Sequence, residues 1–221
     1  MKILAVSDEE CQALWDFYVP GRLKDYDLIL SSGDLKASYL SFLVTMAHCP
    51  VYYVHGNHDH RYEQQPPEGC DDIDGKLVIY KGLRIVGLGG CRKYHEGPHQ
   101  YTDHQMQKRM KKLRRDIRLA GGVDIVVTHA PPRGVGDAED PAHMGFRTLL
   151  DFIDEYHPAY LLHGHVHLNY GQDKTREREY HGTKVINVYE RFVLELPERE
   201  IPTKNGQKLA AFFQKKLEKS Y

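Results

Sequence analysis

The sequence has little net charge, no closely spaced pair of cysteines and no long hydrophobic run. Lys and Arg total 30 and Asp and Glu total 31, so the net charge of −1 provides no global basic field for nucleic acid or membrane lipid. The first apolar run, Ile3 to Val6, is far shorter than a signal segment or a membrane span. The four cysteines form no Cys-x-x-Cys pair, which suits reduced thiols. We therefore expect a cytoplasmic chain with no membrane partner.

Short apolar runs alternate with segments of helical periodicity, a pattern typical of β-α-β units. A hydrophobic content of 41% over 221 residues suffices for a substantial core, and no internal stretch resembles a linker. The sequence predicts an α/β fold of two packed sheets with helices outside, in a single domain over residues 1–196. The predicted strands are Lys2–Val6, Asp27–Leu30, Pro50–Val54, Leu77–Tyr80, Leu83–Leu88, Asp124–Val127, Ala159–Leu162, Lys184–Val188 and Phe192–Leu196.

The longest predicted helix begins at Thr102, where Gln105 three residues later completes a capping box. Its polar face carries the basic residues Lys108, Arg109, Lys111, Lys112, Arg114, Arg115 and Arg118. We interpret this face as solvated; the alternative is a patch for a phosphorylated or nucleic-acid substrate. A further helix is predicted within the tail, residues 197–221, packed either on the domain or on a partner.

Residue types that ligate metals follow several of the predicted strands. The series is Asp8, Asp34, Asn57, His58, His129, His165 and His167. Side chains at the carboxyl edge of a sheet lie where α/β folds place their sites, and residues i and i+2 of an extended chain point the same way. Taken alone, each of these residues could instead be a helix cap, a turn residue or a loop histidine with no metal-binding role. Their joint order predicts a hydrolase with two metal ions.

These residues resemble the motifs of the calcineurin-like metallophosphoesterase superfamily, over roughly residues 1–196. The motifs stand here as Asp8-Glu9-Glu10, Gly33-Asp34, Gly56-Asn57-His58-Asp59, Thr128-His129 and Gly164-His165-Val166-His167. The resemblance implies a four-layer α/β/β/α sandwich that hydrolyses phosphate esters with two divalent metal ions.

The same resemblance implies a role for each motif residue. Asp34 would bridge the two ions, with Asp8 and His167 on one of them. Asn57, His129 and His165 would hold the other ion. His58 would lie beside the scissile phosphate as a catalytic residue, and Asp59 would orient the ligands from outside.

Glu10 departs from the family pattern, which has histidine at this position. Glu10 shares a face with Asp8, so its carboxylate could ligate in place of imidazole. An oxygen ligand makes the ion site harder, which favours Mn²⁺, with Mg²⁺ and Fe²⁺ next, over Zn²⁺; Ni²⁺ is a further candidate. The alternative is that Glu10 acts only through water or does not bind at all.

Two loops contain candidate substrate contacts. Arg92 and Tyr94 lie in the Gly-rich segment after the strand that ends at Leu88, and His143 lies in the loop after His129. An ordinary surface loop is the alternative for the first segment. His163 and His55 are expected to pack near the site without binding metal.

The leading prediction is a metal-dependent phosphoesterase acting on phosphodiesters or small phosphomonoesters. One alternative is a catalytically weak scaffold that binds protein; Glu10 favours it and the leaving-group histidine His58 opposes it. A nuclease is the third hypothesis, which the charge of −1 opposes and the basic helix supports. The predicted partner is a small phosphate ester rather than nucleic acid, and homo-oligomerisation is left open.

Overall fold

The computed structural model describes residues 1–168, 175–197 and 204–218. Its strands are β1 (Lys2–Ser7), β2 (Leu28–Ser31), β3 (Val51–Tyr53), β4 (Asp71–Asp72), β5 (Leu77–Tyr80), β6 (Leu83–Leu88), β7 (Cys91–Arg92), β8 (Gln100–Tyr101), β9 (Ile125–Thr128), β10 (Tyr160–His163), β11 (Glu177–Tyr180), β12 (Thr183–Asn187) and β13 (Glu190–Glu195). Its α-helices are α1 (Ala37–Ala47), α2 (Asp103–Ala120), α3 (Arg147–Tyr156) and α4 (Lys204–Glu218). Two 3₁₀ helices span Gln12–Leu14 and Asp59–Glu63.

The strands form two main sheets with parallel centres and antiparallel edges. The first has the order β13-β1-β2-β3-β4, in which only the β13–β1 pair is antiparallel. The second has the order β11-β12-β10-β9-β6-β5, in which the outer pairs β11–β12 and β6–β5 are antiparallel. Because β1, β2, β3, β9 and β10 belong to these parallel centres, polar residues that follow them gather at the carboxyl edges of the sheets.

The alternation of side chains along each strand produces the layers. In β1, Ile3 and Ala5 pack into the core between the sheets, whereas Leu4 and Val6 pack outward with residues of α1. The outer face of the second sheet is covered by α2 and α3, through residues such as Leu113. The predicted four-layer α/β/β/α sandwich in a single domain is confirmed.

Local signals in the sequence correspond to local structure. The Thr102 hydroxyl accepts the N–H of Gln105, and the Gln105 side chain accepts the N–H of Thr102, so the capping box at the start of α2 is confirmed. Lys81 and Gly82 join β5 to β6 with positive φ angles of 46° and 78°, as a type I′ hairpin turn requires. The sequence does not predict β4, β7 and β8, because two residues carry no periodicity, nor β11, whose residues Glu177–Tyr180 are mostly charged and form no apolar run.

The helix α4 packs on the body of the domain through Phe213 and Leu217, which are both buried. Its Lys216 also pairs with Asp116 of α2. The boundary predicted at residue 196 lies beside residues outside the described ranges and stays a prediction. Cys11, Cys49, Cys70 and Cys91 are thiols that form no disulfide bond. Within the described ranges, no helix combines the length and apolar character needed to cross a membrane.

The basic face of α2 is less uniform than the sequence predicts. Arg109 is turned inward: its guanidinium lies 4.3 Å from the centre of the Tyr101 ring, pairs with Asp74 and donates to the Gly89 carbonyl at 2.8 Å. Lys108, Lys111, Lys112, Arg114, Arg115 and Arg118 are exposed. Arg109 therefore stabilises the fold, and the prediction of a solvated face holds only for its neighbours.

Candidate metal centre

Five parallel strands bring candidate ligands to one place. Asp8, Asp34 and Asn57 follow β1, β2 and β3 of the first sheet, and His129 and the segment His165 to His167 follow β9 and β10 of the second. Asp8, Asp34 and His129 each offer one ligand atom, and these atoms lie within 4.8 Å of one another. Carboxylate oxygen and imidazole nitrogen together suit first-row divalent ions. The cluster therefore has the composition and spacing of a metal site.

The contacts of His129 bring three potential metal-ligand atoms together. Its Nδ1 lies 2.8 Å from the Ser32 carbonyl and donates to it, and its Nε2 lies 3.0 Å from Asn57 Oδ1 and 3.3 Å from Asp34 Oδ2. Three such atoms at these distances are placed to share a metal ion or, in its absence, a proton. Burial is the largest single influence and lowers the pKa of His129, but the charge and hydrogen bond of Asp34, the charge of Asp8 and the Ser32 carbonyl together raise this pKa to about 9. Asp34 Oδ2, Asn57 Oδ1 and His129 Nε2 are therefore candidate ligand atoms for one ion.

The two histidines after β10 approach the cluster from the second sheet. The backbone N–H of His165 donates to both oxygens of Asp8, and its Nε2 lies 2.7 Å from the carbonyl of Ala142. Burial, with the charge of His129, lowers the pKa of His165 to about 3, so its ring is neutral. With its proton on Nε2, donated to Ala142, the ring keeps Nδ1 free for a metal ion. His167 Nε2 lies 3.7 Å from Asp8 Oδ1.

The backbone at the site is compressed and strained. Asp8, Asp34 and His165 have φ angles of 65°, 56° and 68°, which non-glycine residues adopt mainly where surrounding structure imposes them. Gly56 is required by close approach, because a Cβ atom there would overlap Asp34 Oδ1. A Cβ atom at Gly164 would overlap Asp8 Oδ2. The glycines in the motifs thus let the loops approach the two carboxylates.

Asp59 joins the loops after β2 and β3. Its Oδ2 accepts the backbone N–H groups of Asp34 and Gly56 at 2.8 and 2.7 Å. Burial and the negative charge of Asp34 raise the pKa of Asp59 to about 7. Next to it, the backbone N–H of His58 donates to Asp34 Oδ1 at 2.8 Å, while the His58 side chain is exposed. Asp59 is therefore positioned to orient Asp34, and the His58 ring is accessible to a substrate.

Glu10 lies beside the cluster but points to another partner. Its Oε1 lies 3.3 Å from the backbone N of Lys36 and 3.4 Å from Lys36 Nζ. Within the described residues, the group of ligand atoms that lie within 4.8 Å of one another contains Asp8, Asp34 and His129 but not Glu10. Direct ligation by Glu10 stays a prediction, and it requires a rotation away from Lys36.

The candidate substrate residues differ in position. The His143 ring lies 5.2 Å from the His165 ring, and His143 Nδ1 lies 3.0 Å from Asp140 Oδ1. Arg92 contacts Met144 and lies 3.9 Å from Asp103. Tyr94 packs against the core beneath the outer helices. His143 is thus the candidate that lies against a proposed ligand.

His163 and His55 pack near the site, as the sequence predicts. His163 is buried, with Nδ1 2.9 Å from the carbonyl of Gly164, and burial lowers its pKa to about 4. The His55 ring stacks on His99 with ring centres 4.6 Å apart.

Two residues near β12 and β13 stabilise the loop after β10 and are not predicted from the sequence. Asn187 donates to the Val166 carbonyl at 2.7 Å and accepts the N–H of Tyr189 at 2.9 Å, which holds the His165–His167 loop. The Tyr189 hydroxyl donates to Glu9, and its ring lies 5.0 Å from the His167 ring. Neither residue belongs to a recognisable motif, so no sequence signal marks them.

Comparisons with known proteins agree with this geometry. The family model described as calcineurin-like phosphoesterase matches residues 1–169. The UPF0046 protein K07C11.7 of Caenorhabditis elegans is 24% identical over 193 residues, covering 77% of this chain. The alignment covers 65% of the worm protein, so the chain spans less than two thirds of this relative's length.

Solved structures share the fold at low sequence identity. One crystal structure is 17% identical with a TM-score of 0.66, covering 91% of this chain and 97% of its own. The protein TT1561 of Thermus thermophilus is also 17% identical, with a TM-score of 0.57, covering 86% of this chain and 89% of its own. At this identity the likeness concerns the fold alone.

Proposed function

Because the chain belongs to the calcineurin-like phosphoesterase family, we propose that it hydrolyses phosphate esters at a centre of two divalent metal ions. The observation that carries the proposal is the convergence of Asp34 Oδ2 and Asn57 Oδ1 within 3.3 Å of His129 Nε2. A buried carboxylate, an amide oxygen and an imidazole nitrogen in this arrangement form a donor set that suits a divalent ion.

The proposed ligand sets follow the geometry. Asp34, Asn57, His129 and His165 would hold one ion, and Asp8, Asp34 and His167 the other. The hydrogen bonds from His129 to Ser32 and from His165 to Ala142 support this assignment, because metal-binding histidines generally donate their second N–H to an oxygen. Glu10 would join the second set through its carboxylate, and its oxygen donors favour Mn²⁺ over Zn²⁺.

Two bound ions would clamp a phosphate group and lower the pKa of a water molecule enough to make it a nucleophile near neutral pH. His58 would act on the opposite side of the phosphate, where its exposed ring can protonate the leaving oxygen. The hydrogen bond from its backbone N–H to Asp34 fixes its distance from the ligands. Asp59 would keep Asp34 oriented without contacting the substrate.

The test is turnover of p-nitrophenyl phosphate and bis-p-nitrophenyl phosphate with Mn²⁺, Mg²⁺, Fe²⁺, Ni²⁺ and Zn²⁺. A higher kcat/KM for the diester would identify a phosphodiesterase, and the reverse a phosphomonoesterase. Asp34→Asn is the control, and we expect turnover to fall by more than about 100-fold, beyond the effect typical of an outer partner. Wild-type activity in Asp34→Asn would disprove the bridging role.

A protein-binding scaffold is the second candidate, and the pairing of Glu10 with Lys36 supports it. A centre without this carboxylate has fewer ligands for the second ion. Protein loaded with two metal equivalents that turns over neither ester would favour the scaffold. One bound equivalent without turnover would assign the defect to the second ion site.

A further inference from the structure

A cavity of about 510 Å³ opens beside the proposed metal centre. Asp34 and His58 line it on the side of the centre, and its other walls come from the start of α1 and from the 3₁₀ helix Asp59–Glu63. Pockets of roughly 300–1,000 Å³ accommodate ligands of drug size. The cavity can therefore hold an organic group attached to a phosphate at the centre.

Most of the charged side chains around this cavity already have a hydrogen-bond or ion-pair partner. Glu10 is paired with Lys36, and Asp34 belongs to the cluster with His129. Asp59 accepts two backbone N–H groups and is buried. The Arg61 guanidinium is exposed at the cavity, and no described residue pairs with it.

Two further side chains with nitrogen groups line the same cavity as Arg61. Lys36 and His60 also line the cavity, and both are exposed. A planar guanidinium binds phosphate oxygens through two parallel hydrogen bonds, and a nearby ammonium adds charge without geometric demands. A group of this kind, next to a centre that binds one phosphate, is suited to a second anion on the same molecule.

We propose that this cavity selects phosphate esters whose organic group carries a second phosphate, which Arg61 binds with the help of Lys36. The inference rests on the proposed hydrolysis and adds the substrate class. The first phosphate would lie at the metal centre beside His58, and the second would lie at Arg61 across the cavity.

The test compares two substrates that differ by one phosphate: thymidine 5′-(p-nitrophenyl phosphate) and its 3′-phosphorylated form. In the wild type we expect kcat/KM to be about tenfold higher for the 3′-phosphorylated substrate, a typical effect of one charge-assisted contact. Arg61→Gln should abolish this preference and Arg61→Lys should keep part of it. Arg115→Gln, an exposed arginine of α2, is the matched control and should keep the preference in full. An equal kcat/KM for both substrates in the wild type, or an unchanged preference in Arg61→Gln, would overturn the inference.

A binding experiment separates this inference from the proposed hydrolysis. If neither the thymidine esters nor the two p-nitrophenyl esters are turned over with any metal ion, the hydrolysis proposal fails, but the binding of a second phosphate in the cavity can still be tested. Calorimetry would then compare thymidine 3′,5′-bisphosphate with thymidine 5′-phosphate on the Mn²⁺-loaded protein. Tighter binding of the bisphosphate to the wild type, lost in Arg61→Gln, supports the cavity assignment. Equal affinities for the two nucleotides refute it.

Discussion

The carboxylate of Asp8 accepts the backbone N–H of His165, with N–O distances of 3.1 and 3.0 Å. The two residues belong to different sheets, since Asp8 follows β1 and His165 follows β10. Asp8, a proposed ligand of one ion, thus holds the loop of His165 and His167, which are proposed ligands of different ions. Metal binding at the proposed centre would therefore be coupled to the packing of the two sheets at this edge.

Asp59 should affect stability through hydrogen bonding rather than through charge. Asp59→Ala leaves the N–H groups of Asp34 and Gly56 without their acceptor, at a cost of about 1–3 kcal/mol for each unpaired buried group. Asp59→Asn retains a carbonyl oxygen and should keep most of the free energy of unfolding. Urea denaturation of the metal-free variants measures the difference. Equal losses in both variants would show that the negative charge is required.

Gly56→Ala should disturb the metal centre directly. The new methyl group would overlap Asp34 Oδ1, so we expect a loss of about 1–3 kcal/mol from overpacking, together with reduced metal binding. Gly75→Ala is the control: its φ is +67°, but no atom lies within 4 Å of the added Cβ. The control should lose stability without losing metal. Retention of wild-type metal content by Gly56→Ala, measured by elemental analysis, contradicts the prediction.

Two basic residues of α2 should respond differently to the same substitution. Arg109→Met removes the partner of Asp74, whose side chain is only 14% exposed, and should cost about 3 kcal/mol, as for breaking a buried ion pair. Lys108→Met affects an exposed side chain and should change stability by less than about 0.5 kcal/mol. Thermal unfolding of the two variants checks the contrast, and similar melting temperatures would argue against a structural role for Arg109.

The ion pair between Lys81 and Asp27 should make stability depend on pH at the acidic end. The hydrogen bond from Lys81 lowers the pKa of Asp27 in the folded protein. A lowered folded pKa adds stability above the unfolded value, near 3.8, and this stability is lost as the pH falls through the folded pKa. Lys81→Gln should therefore lose less free energy of unfolding than the wild type between about pH 5 and pH 2. Parallel stability curves for the two proteins would show that the pair contributes nothing.

The positions of the candidate ligands after the strands could be predicted from the sequence, because they depend on interactions between residues close together in the chain. A strand followed by a turn exposes Asp8 or Asn57 at a sheet edge, and the capping box at Thr102 involves residues only three apart. The hairpin at Lys81 and Gly82 likewise follows from two adjacent residues. Such features need no knowledge of the distant chain.

The sequence by itself determined the fold class, the main strands and the residues that follow them, because periodicity and turn chemistry act locally. Only the tertiary structure decided that Arg109 turns inward to Asp74, that Glu10 pairs with Lys36 and that Asn187 holds the loop of His165. It also brought Arg61 to a cavity next to Asp34. These contacts join segments far apart along the chain, and their formation depends on which strands and helices become neighbours in the fold rather than on any local pattern.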